Sequence, residues 1–415
     1  MAADLTALSL FSGAGGLDLG VEAAGFRVAA AVEADAECVR TLRANRDWAV
    51  FDEYIQAVPS DTLLAAAGLR PGDLDLLIGG PPCQPFSKCG YWATGDSRRL
   101  DDPRADTVEA FLRVLRDCRP RAFLMENVTG MAYSGKDEGL QLIRQALADI
   151  NREHGTRYNV DVQIVNAADF GVPQTRERVF LIGSRDGRRF GKLEPTHLRP
   201  GSEDAQCTLG LSPGMDRWRT AWDALGDLET DESSPELQPR GKWADLLPAI
   251  PEGQNYLYHT ERGGGQPLFG WRRRFWNFLL KIAKDRPSWT LTAQPGPATG
   301  PFHWNSRRLS MRELCRLQTI PDDFAIQGDL NSVQKQVGNA VPSALAERIG
   351  LEIRARFFDD VAVRYESSLI PPARSDCPPP EPVAPVPEKW RNLAYSDTAH
   401  PGTGRGRRAS RAPAG

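Results

Sequence analysis

No stretch of the 415-residue chain approaches the roughly 20 consecutive apolar residues of a membrane span, so none of it reads as a transmembrane helix. The first residues, Met1–Thr6, lack the basic and apolar segments of a signal peptide. The seven cysteines are odd in number and irregularly scattered, which excludes a disulfide framework and leaves no metal-ligand spacing. A reducing, cytoplasmic compartment and the absence of a bound metal follow as expectations. There is no G-K-[ST], so a phosphate-gripping P-loop is excluded. There is no basic excess either: the formal net charge is −3, and affinity for nucleic acid has to come from a local patch. Internal repeats are absent. What remains is an ordinary globular composition, 41% hydrophobic and 25% charged, long enough for two or three domains.

One stretch stands out, I-G-G-P-P-C-Q-P-F-S at Ile78–Ser87. The apolar run Leu74–Ile78 predicts a buried strand, and Pro81-Pro82 forbid its continuation in a sheet ladder. Cys83 is thereby presented on a stiff turn just past a strand end, where open α/β sheets bind ligands. A thiol there is a candidate nucleophile. Upstream, the strand Ala7–Phe11 feeds S-G-A-G-G at Ser12–Gly16 and a helix over Leu17–Ala24, the layout of a nucleotide site. The second strand, Arg27–Val32, ends in Glu33, an acid placed to hold a ribose diol. A helix over Cys38–Asn45 and a third strand near Ala49–Ile55 follow. Ser87–Arg104 reads as a long polar loop, Thr107–Leu115 as a helix, and Arg121–Leu124 as a strand leading into Glu126-Asn127. A helix over Gly139–Ile150 and strands over Val160–Ala167 and Val179–Ile182 complete an alternation that predicts a doubly wound, mostly parallel sheet.

The texture breaks at Gly183. Residues 184–306 are rich in Gly, Pro, Arg and Trp, and seven of the ten tryptophans fall between Trp218 and Trp304. Between Gly263 and Pro287 six basic residues (Arg272, Arg273, Arg274, Lys281, Lys284, Arg286) face one acid, Asp285. Basic residues interleaved with aromatics suit a nucleic-acid surface. Ser310 and Glu313 form a capping box for a helix over Ser310–Leu317, and Val341–Phe358 predicts another. From about Ser367 the chain is rich in Pro, Ser, Ala and Arg and is expected to be a disordered tail.

Taken together, the blocks resemble the DNA (cytosine-5)-methyltransferases of bacterial modification systems. They are F-S-G-A-G-G at Phe11–Gly16, Glu33, G-G-P-P-C-Q-P-F-S at Gly79–Ser87, E-N-V at Glu126–Val128, and Q-T-R-E-R at Gln174–Arg178. R-E-L-C-R-L-Q-T-I-P-D-D-F at Arg312–Phe324 and Q-V-G-N-A-V-P at Gln336–Pro342 follow, the seven in the family's order over roughly residues 5–360.

The resemblance implies a Rossmann-like fold dependent on S-adenosyl-L-methionine. Its parts are a catalytic and cofactor-binding domain over 1–183, a target-recognition domain over 184–306, a hinge over 307–330, the rest of the catalytic domain over 331–362, and the tail over 363–415. It implies that Cys83 attacks C6 of a flipped-out cytosine, with Glu126 at N3 and Arg178, helped by Arg176, at O2. It also implies that Phe11 stacks on adenine, Ser12, Gly13, Ala14, Gly15 and Gly16 line the methionine part, and Glu33 holds the ribose. Ile55, Pro82, Asn339 and Val341 complete that pocket. Where the family often has Asp-Ile beside the adenine, this chain has Tyr54-Ile55 with Asp52 and Glu53 just upstream, and the partner of the adenine amine stays open. The family's usual leucine after the mobile loop is Thr107 here. Gln84, Ser87, Arg272, Arg273, Arg274 and Thr290 are the expected DNA contacts. The implied partner is double-stranded DNA, bound by a monomer in the cytoplasm at the nucleoid and paired functionally with a restriction endonuclease. A tRNA cytosine-5 methyltransferase shares the fold, but the Cys-Phe-Thr element of those enzymes is absent. A dinucleotide oxidoreductase would leave Pro81-Pro82-Cys83 and Glu126-Asn127 unexplained, and a binding-only protein would not need Cys83, Glu126 and Arg178 together.

Overall fold

The computed structural model describes residues 5–82, 106–128, 138–200, 215–270 and 275–391. In chain order the strands are β1 Leu5–Leu10, β2 Phe26–Val32, β3 Ala49–Phe51, β4 Leu76–Gly79, β5 Ala122–Asn127, β6 Asp161–Asn166, β7 Gln174–Thr175, β8 Glu177–Ser184, β9 His197–Leu198, β10 Asp216–Arg217 and β11 Ser288–Trp289. The helices are α1 Gly16–Ala23, α2 Ala36–Asn45, α3 Ser60–Ala67, α4 Asp106–Cys118, α5 Glu138–His154, α6 Ala221–Leu225, α7 Met311–Leu317, α8 Leu330–Asn339, α9 Ser343–Phe357 and α10 Glu388–Arg391. None of the described helices is long and apolar enough to cross a membrane.

Seven strands form one sheet in the order β3-β2-β1-β4-β5-β8-β6. All pairings are parallel except those of β8, which runs antiparallel to both β5 and β6. The strand order reverses at β1, between β2 and β4, so the crevice beyond β1 and β4 is the topological switch point where such sheets bind ligands. The expected doubly wound sheet is therefore present. The third strand stops at Phe51, and a 3-10 turn over Ile55–Ala57 takes the place of its expected end.

The strands are buried on both faces, as parallel strands must be when helices cover each side. Leu8, Leu77, Phe123, Met125 and Leu181 pack under α3, α4 and α5 on one face. Ala7, Ile78, Leu124, Phe180 and Ile182 pack under α1 and α9 on the other. Phe190 and Leu193 join this second core, and Phe190 meets Phe357 edge-on at 5.9 Å. The catalytic core thus extends about ten residues past the expected break at Gly183, because these apolar groups still face α9 rather than the irregular region.

A third core joins Leu19 of α1 to Ala221, Leu291, Leu314 and Val333, and a fourth surrounds Trp243, Tyr256 and Phe278. The capping box of α7 is present, with the Ser310 hydroxyl accepting from the Glu313 amide and the Glu313 carboxylate accepting from the Ser310 amide. Between Asp216 and Phe302 regular elements are short, so this region is held by side chains.

Disorder expected from residue 363 does not hold for residues 363–391. They run as an extended strap over both parts of the protein. Ser367 bonds Glu347 of α9, the Arg374 amide donates to Asp223 at 2.6 Å, and Glu381 pairs with Lys284 at 2.8 Å. Trp390 is buried, stacks on Trp243 at 4.4 Å and donates to Asp245 at 3.0 Å. Composition counted only the apolar surface the strap carries, not the surface waiting for it. Residues 392–415, with the terminal arginines, lie outside the described residues.

Helices α1 and α9 touch through glycine. A Cβ built on Gly20 would lie 2.3 Å from the Ala346 Cβ and 2.4 Å from the Ser343 carbonyl oxygen. A Gly→Ala change in an exposed helix gains about 1 kcal/mol of propensity. Here backbone atoms block the new methyl, and overpacking costs about 1–3 kcal/mol or more. Gly20→Ala is therefore expected to lower stability in urea titration. A midpoint at or above that of the unaltered protein would show that α1 and α9 separate easily.

Candidate active site

β5 carries Glu126 out to the carboxyl edge of the sheet, and β8 brings Arg178 to the same edge and face. Register places Glu126 opposite Phe180 and Asn127 opposite Val179. The Arg178 Nε lies 2.9 Å from Glu126 Oε1, with both side chains mostly buried. Arg178 also donates to the Glu177 carbonyl at 2.7 Å. Burial pushes the Glu126 carboxyl above the usual carboxylate range, against the opposing pull of the Arg178 and Arg176 guanidiniums. A carboxyl so placed holds a proton where an exposed one would not.

β4 ends one residue before Gly80. A Cβ on Gly80 would lie 3.2 Å from Glu126 Oε2, so bare backbone lets the strand tip pass beside the carboxylate. The buried Asn127 amide donates to the Pro81 carbonyl at 3.4 Å, and its own oxygen accepts from the Val128 amide at 2.9 Å. Glu126 and Asn127 therefore flank the path into Gly80-Pro81-Pro82. Cys83, Gln84 and the whole Ser87–Arg104 loop lie outside the described residues. Among the described cysteines, Cys38, Cys118 and Cys315 are buried, and burial pushes each thiol up, that of Cys118 to about 12. These are not nucleophiles at neutral pH. Cys377 lies on the strap.

The glycine turn joins β1 to α1. Phe11 and Gly13 have φ of 57° and 55°, and a Cβ on Gly13 would meet nothing within 4 Å, so the turn opens onto free space. Glu33 braces it: one oxygen accepts from the Gly13 amide at 2.6 Å and the other from the Asp35 amide at 2.7 Å. Each oxygen keeps acceptor capacity for a diol. Burial raises the Glu33 pKa. From the other end of the chain, the Val341 carbonyl and Ala340 close on Gly16, at 2.3 and 3.0 Å from a Cβ built there. Asn339 is exposed at the end of α8, Ile55 is buried, Pro82 is exposed and Tyr54 is 75% exposed. Asp52 pairs with Arg43 at 3.2 Å. A bare turn, a braced acid and a lid from α8 fit a nucleoside-bearing cofactor such as S-adenosyl-L-methionine.

Four residues singled out in the sequence are engaged inside the protein. Arg176 is fully buried, and its terminal nitrogens donate to the Leu291 carbonyl at 3.3 Å and the Gly338 carbonyl at 2.7 Å. Its guanidinium is thus engaged by backbone carbonyls of two distant segments. The Thr290 hydroxyl donates to the Thr175 carbonyl at 2.7 Å, tying β11 to β7. Lys281 and Lys284 are buried and do not join a basic surface. The Lys281 ammonium donates to the Ile250 carbonyl at 2.7 Å, and the Lys284 ammonium is 2.8 Å from both Glu252 and Glu381. A run of like charges in sequence hid carboxylates that arrive from elsewhere. Arg272, Arg273 and Arg274 lie outside the described residues.

Sequence reasoning gave no role to Asn127 or Gln174, although both sit inside motifs it named. Gln174 donates to Gln318 at 2.7 Å and accepts from the Leu291 amide at 3.1 Å. It also missed Asp18, a fully buried acid in the first turn of α1, whose carboxyl burial raises to about 7. An acid inside an otherwise apolar helix was the available signal.

The model of the family described as C-5 cytosine-specific DNA methylase matches residues 5–355. The type II methyltransferase M.SacI of Streptomyces achromogenes is 39% identical over 367 residues, covering 83% of this chain and 91% of that one. M.AquIA of Picosynechococcus is 43% identical over 224 residues, covering 53% and 88%. Among solved structures, a prophage-encoded DNA modification methyltransferase of E. coli superposes with a TM-score of 0.59 at 21% identity, covering 86% of this chain and all of the other. The Dnmt2 methyltransferase of S. pombe gives 0.57 at 16% identity, covering 85% and 99%. With the switch-point crevice, the Glu126–Arg178 pair and the braced glycine turn in place, the family match over most of its length identifies this chain as a member of the C-5 cytosine-specific DNA methylase family.

Proposed function

We propose that this cytosine-5 DNA methyltransferase draws its methyl group from S-adenosyl-L-methionine and acts on a cytosine flipped out of a specific duplex sequence, through a covalent bond from Cys83 to C6. The supporting observation is the Glu126–Arg178 pair against Gly80, three residues before Cys83. S-adenosyl-L-methionine, when bound, supplies a methyl group made electrophilic by its sulfonium. Phe11 would stack on its adenine, Ser12–Gly16 would line its methionine part, and Glu33 would hold its ribose diol.

The protein's own groups prepare the base. The Cys83 thiolate adds to C6, and the electron pair of the C5–C6 double bond moves into the ring toward N3 and O2. The Glu126 proton neutralises N3, and the Arg178 guanidinium stabilises charge at O2, in the manner of an oxyanion clamp. C5 is now a nucleophile. After it takes the methyl, N3 returns its proton to Glu126, a base removes the C5 proton, the C5–C6 double bond re-forms, and the Cys83 thiolate leaves. Arg176 holds Arg178's strand in register with α8 and β11 and acts as a positioning residue. The proposed role is type II modification alongside a restriction endonuclease cutting the same unmethylated site, a reading that the relatives' type II names support. The enzyme would act as a monomer in the cytoplasm, at the nucleoid.

Bisulfite mapping in a methylation-free host gives the target sequence. A duplex carrying 5-fluorocytosine at that target has no C5 proton to lose, so the adduct should persist on a denaturing gel. Cys83→Ala should abolish both adduct and methylation, and wild-type turnover by that variant would refute the mechanism.

The proton on Glu126 sets a pH dependence. Its pKa is raised, so the donor form is present at low pH and is lost as pH rises through the raised value, while Cys83 thiolate grows with pH. Single-turnover rates should rise and then fall. Glu126→Gln should lose on the order of 10²–10⁴ in rate and also lose the descending limb. A variant that keeps the same descending limb would assign that limb to another group.

Glu33→Ala removes both the expected ribose acceptor and the brace on Gly13. Calorimetry should show S-adenosyl-L-methionine binding weakened by about 1–3 kcal/mol. Unchanged affinity, or preferential binding of NAD, would overturn the cofactor assignment.

A further inference from the structure

β7 and β11 lie beyond the carboxyl edge of the sheet, above the end where β8 begins opposite Asn127. Trp289 is paired in register with Thr175. Thr175 and Arg178 are three positions apart in the chain, at most about 10 Å when extended. Trp289 is 40% exposed, and Trp276, 42% exposed, lies against it with ring centroids 5.6 Å apart at 56°. Among the described residues the other large exposed hydrophobics are Tyr54, Ile164, Val361, Tyr365 and Val383, and none of them makes a ring–ring pair with another.

The backbone beneath this pair is fixed. The Ser288 amide donates to the Pro173 carbonyl at 2.9 Å, Thr175 to the Ser288 carbonyl at 3.1 Å, and Thr290 to the Thr175 carbonyl at 2.7 Å. The Asn255 amide holds the Trp276 carbonyl. Two indoles on a rigid frame at the rim of a catalytic edge are an apolar surface that wants a partner.

We propose that Trp276 and Trp289 stack on a base left without a neighbour when the target cytosine leaves the duplex. This rests on the base-flipping reading above. Extrusion costs a few kcal/mol of stacking and pairing and leaves flat faces open to water. An indole replaces a lost base face without regard to its sequence. The occupant is a base and not a phosphate: Glu177, exposed two residues beyond Thr175, repels phosphate, and Arg178 is engaged by Glu126. The two tryptophans are positioning residues. They touch neither the cofactor nor the reacting atoms.

The test compares two duplexes carrying the mapped target, one fully paired and one with the target cytosine opposite an abasic site, where opening is already cheap. Trp289→Ala should slow single-turnover methylation of the paired duplex about ten- to a hundredfold, the scale of one to two lost stacking contacts. On the abasic duplex the loss should be under threefold, and Trp289→Phe should recover most of the rate on both. With 2-aminopurine at the target, the fluorescence rise on binding should shrink in Trp289→Ala. In the unaltered enzyme, added duplex should quench tryptophan emission, a readout that needs no variant to fold, and Trp276→Ala provides a second site. Equal losses on both duplexes, no loss on either, or no quenching would overturn the platform while leaving methylation intact. An unaltered enzyme that methylates neither duplex would remove the base-flipping reading and the platform with it.

Discussion

A guanidinium and two carboxamides are buried where the separate motifs meet. Arg176 bonds the carbonyls of Leu291 and Gly338, Gln174 bonds Gln318, and Gln318 bonds the carbonyls of Val337 and Ala340 at 2.8 Å each. Four segments that lie up to 166 residues apart are thereby joined around one dry centre: β7, the segment after β11, the end of α7 and the end of α8. A buried charge without its hydrogen bonds costs several kcal/mol, so each partner is needed to keep the others tolerable. Such a centre is intolerant of small shifts, and it sits directly behind Arg178 and beside the α8 end that closes on Gly16. The Glu126–Arg178 pair and the glycine turn are consequently held by the same knot.

Much of this was legible in the sequence. Strand and helix alternation up to Gly183 reads cleanly because both faces of the sheet are apolar and glycines mark the turns. Glu126 and Glu33 lie at the carboxyl ends of parallel strands, which the alternation makes legible, whereas Arg178 stands at the start of β8, whose antiparallel run brings it to the same edge. Arg176 was not legible in its true role. Period-2 alternation puts it on the same side as Arg178, and its two carbonyl partners come from residues 291 and 338, which no local pattern connects to it.

The region from Asp216 to Phe302 shows the opposite limit. Its short elements carry little periodic signal, and what organises it is paired charge and aromatic contact. Lys284 reads as part of a basic stripe only until Glu252 and Glu381 are seen around it. One of those carboxylates belongs to the strap, which composition alone assigns to disorder. Sequence-distant pairing, and not local propensity, decides this part of the molecule.

The contact between α1 and α9 has a consequence for biosynthesis. Gly20 emerges from the ribosome early, yet Ser343 and Ala346, which cover it, are added more than 300 residues later. At about 5–20 residues per second that is an interval of tens of seconds during which the first helix has no lid. The cofactor turn, whose far wall is Val341, is incomplete for the same interval. The first helix and the turn before it therefore reach their final packing only after α9 has been made.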